Sequence, residues 1–286
     1  MNSNKRLLVS FSGGETSAYM ARVLAQRNDS PYSETVTVFA NTGQEHPRTL
    51  EFVDYVDKEY GLNLVWVEAV VNHGVRKSCS HKVVNYETAC RDGSLFEEMV
   101  KKYGIPNAAY PHCTRSLKLD AITSYARSIG WGKGSYDTAV GIRIDEVDRM
   151  SAKASQDRIV YPLISYKPMR KVDINAFWRD QPNRLDITGY EGNCVWCWKK
   201  SKRKHMTLID DDPSWYDLPA RLEAKYPIAG HNVDGTPRVF FRGNKSTVEM
   251  MRMAKEPFIR SDDENREYDE QMDLDLGCGA ESCEVY

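Results

Sequence analysis

Short apolar runs alternate with amphipathic segments through the first half of the chain. Apolar and β-branched residues mark four predicted strands, at residues 7–10, 35–40, 62–67 and 138–142. A helical spacing of apolar residues marks four predicted helices, at residues 17–25, 47–60, 95–102 and 117–129. Strands that alternate with helices predict an α/β fold with a doubly wound, mainly parallel sheet. Ligands bind such sheets at the carboxyl ends of the strands.

The pattern is less regular elsewhere. Residues 70–94 lack clear periodicity, and we expect them to form a loop over the site. The charge-rich residues 144–158 predict a mobile surface segment. We therefore predict an α/β domain over residues 1–180, a small irregular C-terminal extension over residues 181–260, and a flexible acidic tail over residues 261–286.

Composition narrows the classes of partner. Of the 286 residues 41% are hydrophobic, which is enough for a sizeable core, and the formal net charge is −2. That charge disfavours a nucleic-acid partner, because general nucleic-acid binders carry a clear basic excess. The basic run at residues 199–204 is therefore expected to be a solvated loop. No apolar run approaches the ~20 residues of a membrane span, and no apolar leader precedes the first strand, so we expect a cytoplasmic protein.

A glycine-rich turn between the first strand and the first helix predicts a phosphate-binding loop. Gly13 and Gly14 allow phosphate oxygens to approach main-chain N–H groups, and the following helix directs its N-terminus at the anion. Hydroxyl groups flank the turn on both sides. The Lys of a Walker loop is missing. The residues predicted to bind phosphate are Ser10, Ser12, Gly13, Gly14, Thr16 and Ser17.

Two further strand ends carry candidate binding residues. Thr42 and Gly43 form a tight turn after the second strand, where main-chain groups of Phe39 and Asn41 can pair with an adenine edge. After the fourth predicted strand, Gly141 precedes Arg143, which can make a bidentate contact to phosphate or sulfate. The acidic pair at residues 145–146 is expected to orient that arginine or to hold a metal.

Several of the seven cysteines have the spacing of metal ligands. Cys194 and Cys197 form a Cys-x-x-Cys turn, as zinc and iron–sulfur sites need, and Cys113 with His112 can complete the set. An iron–sulfur cluster, a structural zinc and no metal all remain open. Nearby, Arg115 and Lys118 are expected to bind an anionic group or to lower the pKa of a thiol.

These motifs together resemble the phosphoadenylyl-sulfate (PAPS) reductase family, within the adenine nucleotide α-hydrolase superfamily of PP-loop ATP pyrophosphatases. The resemblance rests on Ser-Gly-Gly-x-Thr-Ser at residues 12–17, Thr-Gly at residues 42–43 and Gly-x-Arg at residues 141–143. It implies that residues 1–180 form a PP-loop nucleotide-binding domain. The family usually has Lys-Asp-Ser where this chain has Glu15, Thr16 and Ser17, so Glu15 is expected to bring a negative charge near the phosphates.

The resemblance implies three alternative functions. In a sulfonucleotide reductase, Arg143 holds the sulfate, a tail cysteine (Cys278 or Cys283) attacks sulfur, and a thioredoxin-like protein is the reductant. In an ATP pyrophosphatase-type sulfurtransferase, the loop holds the leaving pyrophosphate with Mg²⁺, and a four-iron cluster with an open iron supplies sulfur. A degenerate nucleotide-binding module is the third. The nucleotide is PAPS or ATP, and a homodimer is left open.

Overall fold

The computed structural model describes residues 5–232 and 235–261. They include a six-stranded sheet in the order β4-β3-β2-β1-β5-β6, parallel except for β4. The strands are β1 Arg6–Phe11, β2 Glu34–Asn41, β3 Val65–Val70, β4 Ser80–Val84, β5 Asp137–Ala139 and β6 Ile159–Val160. The predicted α/β class with a mainly parallel sheet is confirmed.

The helices of the described chain are as follows: α1 Glu15–Ala25, α2 Pro47–Tyr60, α3 Ser94–Tyr103, α4 Asp120–Ser128, α5 Ala154–Asp157, α6 Pro162–Ser165, α7 Lys171–Arg179, α8 Lys202–Asp211, α9 Asp217–Lys225 and α10 Thr247–Met253. A π-helix, Cys113–Leu119, runs directly into α4. Among these described helices none is long and apolar enough to cross a membrane.

The sheet has a buried core on each face, as expected for a doubly wound fold. Alternate residues of β1 serve opposite faces: Leu8 packs in one core cluster, whereas Leu7 and Val9 pack in the other. The Leu7 cluster includes apolar residues of α1, α2 and α7. The Leu8 cluster includes residues of α3, α4, α8 and α10. The chain after residue 190 therefore packs against the same sheet, while the proposed boundaries at residues 180 and 260 stay predictions.

One local expectation is wrong. Residues 70–94 are not a loop throughout, because they contain β4, which pairs with β3 in antiparallel register from Trp66↔Val84 to Val70↔Ser80. Ser-His-Lys-Val-Val lacks the alternation of a half-buried strand, so only the partner strand defines it. The charge-rich residues 144–158 contain two short helical turns, Ile144–Arg149 and α5, and none of them is buried, while their mobility stays a prediction.

Candidate functional site

Three of the predicted binding segments meet at one edge of the sheet. β1 lies between β2 and β5, all three parallel, so their carboxyl ends are neighbours. The loops that follow these strands carry the glycine turn, the Thr42–Gly43 turn and Arg143, respectively. Arg143 Nη1 donates to Thr16 Oγ1 at 2.8 Å, which joins the third loop directly to the first turn of α1.

The phosphate loop, residues 12–17, is closed by its own hydroxyl groups. Ser12 Oγ and Ser17 Oγ lie 2.9 Å apart, and Ser17 Oγ donates to the Gly14 carbonyl at 3.0 Å. Gly13 has φ +92°, and a Cβ there would lie 2.8 Å from Thr49 Cγ2. Only glycine fits this backbone without strain. The turn thereby presents the N-terminus of the eleven-residue helix α1, where an anion is stabilised by unpaired N–H groups.

Glu15 does not present an unpaired charge to the phosphates, which corrects the expectation from sequence. Its buried carboxylate accepts two hydrogen bonds from Arg184, from Nε and Nη2, both at 2.9 Å. A bidentate pair of this kind offsets the charge of the carboxylate. Arg184 was missed in the sequence because it lies 169 positions from its partner, outside any motif.

Two more residues from the same later segment hold the phosphate loop. Trp178 Nε1 donates to the Glu15 carbonyl at 2.9 Å, and Asn193 Nδ2 donates to the Ser12 carbonyl at 3.0 Å. Both donors are buried. With Arg184, they fix the two ends of the glycine turn from outside, so the loop conformation depends on residues 178–193 as well as on its own sequence.

Asn41 fastens the second loop. Its side chain is fully buried, and Nδ2 donates to Glu68 Oε1 at 2.6 Å and to the Cys90 carbonyl at 2.9 Å. Its Oδ1 accepts from the Gly43 N–H at 3.1 Å. Glu68 on β3 also pairs with Lys82 at 2.8 Å. An acidic group therefore lies beside Asn41, from the neighbouring strand, and the main-chain contacts of Phe39 and Asn41 to adenine stay predictions.

Thr42 connects the second loop to a buried ion pair. Its N–H donates to Glu45 Oε2 at 2.8 Å, and its hydroxyl donates to the same carboxylate at 2.8 and 3.0 Å. Lys118 Nζ lies 3.7 Å from Glu45 Oε1, with little of its side chain exposed. Thr42, Glu45 and Lys118 thus form a continuous polar link towards the π-helix from the carboxyl ends of β1, β2 and β5, which we call the nucleotide edge because it is the candidate nucleotide site.

Arg143 is oriented by its acidic neighbours, one of the two roles expected for them. It is 5% exposed, Nε donates to Asp145 at 3.1 Å, and Nη2 lies 3.3 Å from Glu146 Oε2. Gly141 lies in the buried turn just before it. Because Arg143 also reaches Thr16, the guanidinium is held beside the phosphate loop rather than in solvent.

The three candidate metal-ligating cysteines line a single cleft. We call it the cysteine cleft. Its walls combine the three sulfurs with aromatic rings, hydroxyls and two lysines: Thr42, Phe96, Cys113, Thr114, Lys118, Cys194, Trp196, Cys197, Trp198 and Lys199. Thr42 and Lys118 belong both to this cleft and to the polar link above, so the cleft adjoins the nucleotide edge.

Backbone geometry and a buried lysine shape the Cys-x-x-Cys turn. The Cys197 N–H donates to the Cys194 carbonyl at 3.2 Å, and Lys200 Nζ donates to that carbonyl at 2.8 Å and also to the Val195 carbonyl. Across the cleft, Trp198 Nε1 donates to Cys113 Sγ at 3.4 Å. Beneath the turn, burial and the neighbouring Cys194 and Cys197 raise the pKa of Tyr216 well above its usual value.

His112 does not line the cleft with its neighbour Cys113. Its ring stacks between Tyr103 and Tyr110, with centroid distances of 5.5 and 5.9 Å. Burial, then the charges of Arg238 and Arg115, lower its pKa. Its buried Nε2 has no hydrogen-bond partner within the described ranges. Among the described residues, no group of three or more His, Cys, Asp and Glu side chains is placed to hold a metal ion. The metal prediction for His112 and the three cysteines therefore stays a prediction.

The structure places the remaining candidate residues differently from one another. Lys118 is buried in the cleft wall, whereas Arg115 is exposed and is not among the cleft residues. The expectation of a solvated basic loop at residues 199–204 is wrong, because Lys200 and Lys204 are buried and Ser201 caps α8. Cys278 and Cys283 lie outside the described residues.

Comparison with known proteins agrees with the motifs. Residues 6–156 match the phosphoadenosine phosphosulfate reductase domain. An uncharacterized nin region protein, ORF290, of Escherichia phage lambda is 32% identical over 98% of this chain and 94% of its own length. An uncharacterized protein of Methanocaldococcus jannaschii is 25% identical over 69% of this chain but 36% of its own length.

A third relative, an uncharacterized 37.8 kDa protein of Escherichia phage 186, is 44% identical over 19% of this chain and 15% of its own. On the domain match and the full-length similarity to the lambda protein, the chain belongs to the phosphoadenosine phosphosulfate reductase domain family. The family resemblance identified from the sequence is confirmed.

Proposed function

We propose that this member of the phosphoadenosine phosphosulfate reductase domain family is a sulfonucleotide reductase that uses the cysteine cleft for its thiol chemistry. One observation carries the proposal: Cys113, Cys194 and Cys197 line one cleft together with Thr42 and Lys118, which lead to the nucleotide edge. Bringing a reacting thiol and a bound nucleotide into one site removes most of the entropic cost of their encounter.

The nucleotide is held by the phosphate loop and Arg143. The N-terminus of α1 faces the phosphates, and Arg143 lies beside Thr16 with its guanidinium oriented by two carboxylates. In this proposal the adenine nucleotide lies across the carboxyl ends of β1, β2 and β5. The sulfate end then points towards the cleft, where Lys118 and Lys199 can offset its negative charge.

Two of the cleft cysteines complete the chemistry. A cysteine thiolate attacks the sulfur of the sulfonucleotide, the sulfur–oxygen bond to the nucleotide breaks, and the nucleotide leaves with the electron pair on its phosphate oxygen. The resulting enzyme thiosulfonate is attacked by the thiolate of a second cysteine, which releases sulfite and forms a disulfide. An external dithiol protein of the thioredoxin type reduces that disulfide and restores both thiols.

The cysteines could have two other roles, which the experiments must distinguish from the thiol chemistry of the cleft. The predicted nucleophiles Cys278 and Cys283 would replace the cleft cysteines in the same reaction. A cluster would use Cys113, Cys194 and Cys197 as ligands. Three cysteine thiolates are suitable ligands for an iron–sulfur cluster. Within residues 5–232 and 235–261, however, no three His, Cys, Asp or Glu side chains are placed to hold a metal ion, and the thiol reaction above needs no cluster.

A second candidate, an ATP pyrophosphatase-type sulfurtransferase, is favoured by the Cys-x-x-Cys turn, whose two cysteines can supply a carrier thiol and a resolving thiol side by side. In that reaction the phosphate loop would hold pyrophosphate with Mg²⁺, and an acceptor oxygen is adenylated as pyrophosphate leaves. An external sulfane-sulfur donor converts the carrier cysteine to a persulfide, whose outer sulfur displaces AMP from the acceptor. The second cysteine then attacks the carrier's sulfur, releases the thiolated acceptor and leaves a disulfide that an external dithiol reduces.

Product analysis separates the candidates. Anaerobically purified protein is incubated with PAPS and a thioredoxin-type reductant and, separately, with labelled ATP. The reductase predicts sulfite from PAPS and no pyrophosphate from ATP. Release of pyrophosphate without sulfite would contradict it. Replacing Cys194 or Cys197 by serine should abolish sulfite release, whereas the matched control Cys90→Ser, a half-buried cysteine outside the cleft, should retain it.

A further inference from the structure

We infer that Asn193 is a positioning residue that couples the phosphate loop to the cysteine cleft, so that nucleotide binding alters the Cys194–Cys197 turn. The inference rests on the proposed function, because it takes the loop as the nucleotide site and the cleft as the place of the chemistry. It concerns a residue that lies in neither binding motif and that directly precedes the first cysteine of the turn.

The side chain of Asn193 holds the phosphate loop. It is 3% exposed, and its Nδ2 donates to the Ser12 carbonyl at 3.0 Å. Ser12 opens the loop and is joined to Ser17 at its far end through the two hydroxyls. Any adjustment of the loop around a phosphate therefore displaces the carbonyl that Asn193 holds.

The backbone around Asn193 contacts the segment that follows β2 and leads to the cysteine cleft. Its carbonyl accepts from the His46 N–H at 2.6 Å, and Cys194 forms an antiparallel bridge with Glu45. Cys194 lines the cleft, and Glu45 is the carboxylate that binds Thr42 and Lys118. Two consecutive residues thus contact the phosphate loop, the nucleotide-edge turn and the cleft.

The turn beyond Asn193 is tied together strongly enough to move as a unit. Lys200 Nζ binds the carbonyls of both Cys194 and Val195, and the Cys197 N–H closes the turn on Cys194. A displacement at Asn193 is therefore passed along the turn instead of being absorbed in loose backbone. Coupling of this kind needs a contiguous set of contacts with two arrangements, which a bound and an empty loop can supply.

The amide at this position supports the coupling role, because its Nδ2 holds the Ser12 carbonyl. Asn193 Oδ1 is buried and has no hydrogen-bond partner among residues 5–232 and 235–261. A buried unpaired acceptor destabilises the folded state, and an apolar side chain of similar size would fill the space without that penalty. The amide's hydrogen bond to the loop is the contribution that leucine could not replace.

Hydrogen–deuterium exchange on the full chain tests the inference. The probes are a non-hydrolysable ATP analogue and phosphoadenosine phosphate, each with binding measured separately by calorimetry. In the wild type, nucleotide should slow exchange in residues 193–200 by about fivefold or more, the size of a typical coupling between sites. In Asn193→Leu and in the isosteric Asn193→Asp, nucleotide should still slow exchange in residues 12–20 but not in residues 193–200.

Trp178→Phe is the matched control. It removes the hydrogen bond from Trp178 to the Glu15 carbonyl and so perturbs the same loop, but Trp178 lies on α7, outside the backbone segment that joins Asn193 to the cysteine turn. This variant should keep the nucleotide effect in residues 193–200. Circular dichroism tests for a general loss of structure. Both Asn193 variants and Trp178→Phe should give the wild-type spectrum.

The outcomes are distinct. Persistence of the effect in both Asn193 variants would overturn the inference, since direct shielding of the cleft by nucleotide does not need the amide. Loss of nucleotide binding in both would also overturn it and make Asn193 part of the binding site. If the wild type binds nucleotide without any change in residues 193–200, the inference fails and the proposed function stands. If the wild type binds neither probe, both fail.

Discussion

The phosphate loop and the cysteine cleft are built in opposite ways. The loop is a contiguous stretch, residues 12–17, whose glycines and hydroxyls close it locally. The cleft draws its cysteines from residues 113, 194 and 197 and its walls from Thr42, Phe96 and the two tryptophans. The local loop is easily recognised in sequence, but it is held in place by distant residues. The dispersed cleft is hard to recognise, yet two of its cysteines lie on one short turn.

This difference predicts that the loop is most vulnerable through its distant support. Arg184→Met leaves the buried Glu15 carboxylate without its bidentate partner. The free energy of unfolding should fall by about 3 kcal/mol, as when one partner of a buried ion pair is removed. Urea denaturation measures it. The exposed Arg179→Met should change stability by less than about 0.5 kcal/mol. Equal stability of the two variants would mean that the pair does not support the loop.

The next largest effect is expected at Lys118, which links the phosphate loop region to the cysteine cleft. Lys118→Met removes the cation that lies 3.7 Å from Glu45 and lines the cleft. The kcat/KM for sulfonucleotide should fall about a hundredfold, because a preorganised charge at the reacting group is lost. Product nucleotide should bind nearly as before, since the phosphate loop is intact. A parallel loss of nucleotide affinity would place Lys118 in the nucleotide site instead of the cleft.

A change within the loop should affect nucleotide binding alone. Gly13→Ala forces a Cβ into a left-handed backbone and to within 2.8 Å of Thr49 Cγ2. Strain of about 1–3 kcal/mol, if it falls on the bound loop, corresponds to a loss of roughly 5- to 150-fold in nucleotide affinity, which calorimetry measures. Gly130→Ala has similar left-handed geometry, φ +82°, with nothing within 4 Å of its Cβ, and should leave affinity unchanged. Similar losses in both variants would show a general folding defect.

The last prediction concerns acid stability at Glu191, which lies between Arg184 and Asn193 in the segment that holds the phosphate loop. Burial alone would raise the pKa of Glu191, but hydrogen bonds from His46 and Thr188 outweigh it and lower that pKa to about 2. A carboxylate with a lowered pKa stabilises the fold above its unfolded value of about 4.3, and this contribution is lost as the pH falls towards 2. The free energy of unfolding should thus fall more steeply below pH ~4.5 in the wild type than in Glu191→Gln. The exposed Glu87→Gln should keep the wild-type slope.

The same contrast explains what the sequence could and could not predict. The strand, glycine turn and helix of the phosphate loop, and the position of Arg143 beside it, follow from local pattern and from the rule that parallel strands end at one edge. β4 could not be predicted, because its residues lack alternation and only β3 defines it. Arg184 and Asn193 were missed because each acts over more than 160 positions.

The basic run at residues 199–204 shows the limit of charge as a guide. Lys200 looks like a solvated residue in sequence, but its ammonium group binds two carbonyls of the cysteine turn and is 2% exposed. Its burial depends on two carbonyl groups of the turn that accept from its ammonium group, and composition does not reveal them. His112 is the converse case. Its position next to Cys113 suggests a metal ligand, but in the structure its ring lies in an aromatic stack and not in the cleft.

Trapping of the sulfur intermediate tests most directly whether the nucleotide loop and the cysteine cleft form one active site. Variants that each lack one cleft cysteine (Cys113→Ser, Cys194→Ser and Cys197→Ser) are purified without oxygen and given PAPS with radiolabelled sulfur, because the wild type would resolve its thiosulfonate with a second cleft thiol. The labelled peptides are identified by mass spectrometry after acid quenching. We predict that the variant without the resolving thiol accumulates a thiosulfonate on a peptide that contains Cys113, Cys194 or Cys197. Label only on a peptide that contains Cys278 or Cys283 would contradict the assignment of the chemistry to the cleft.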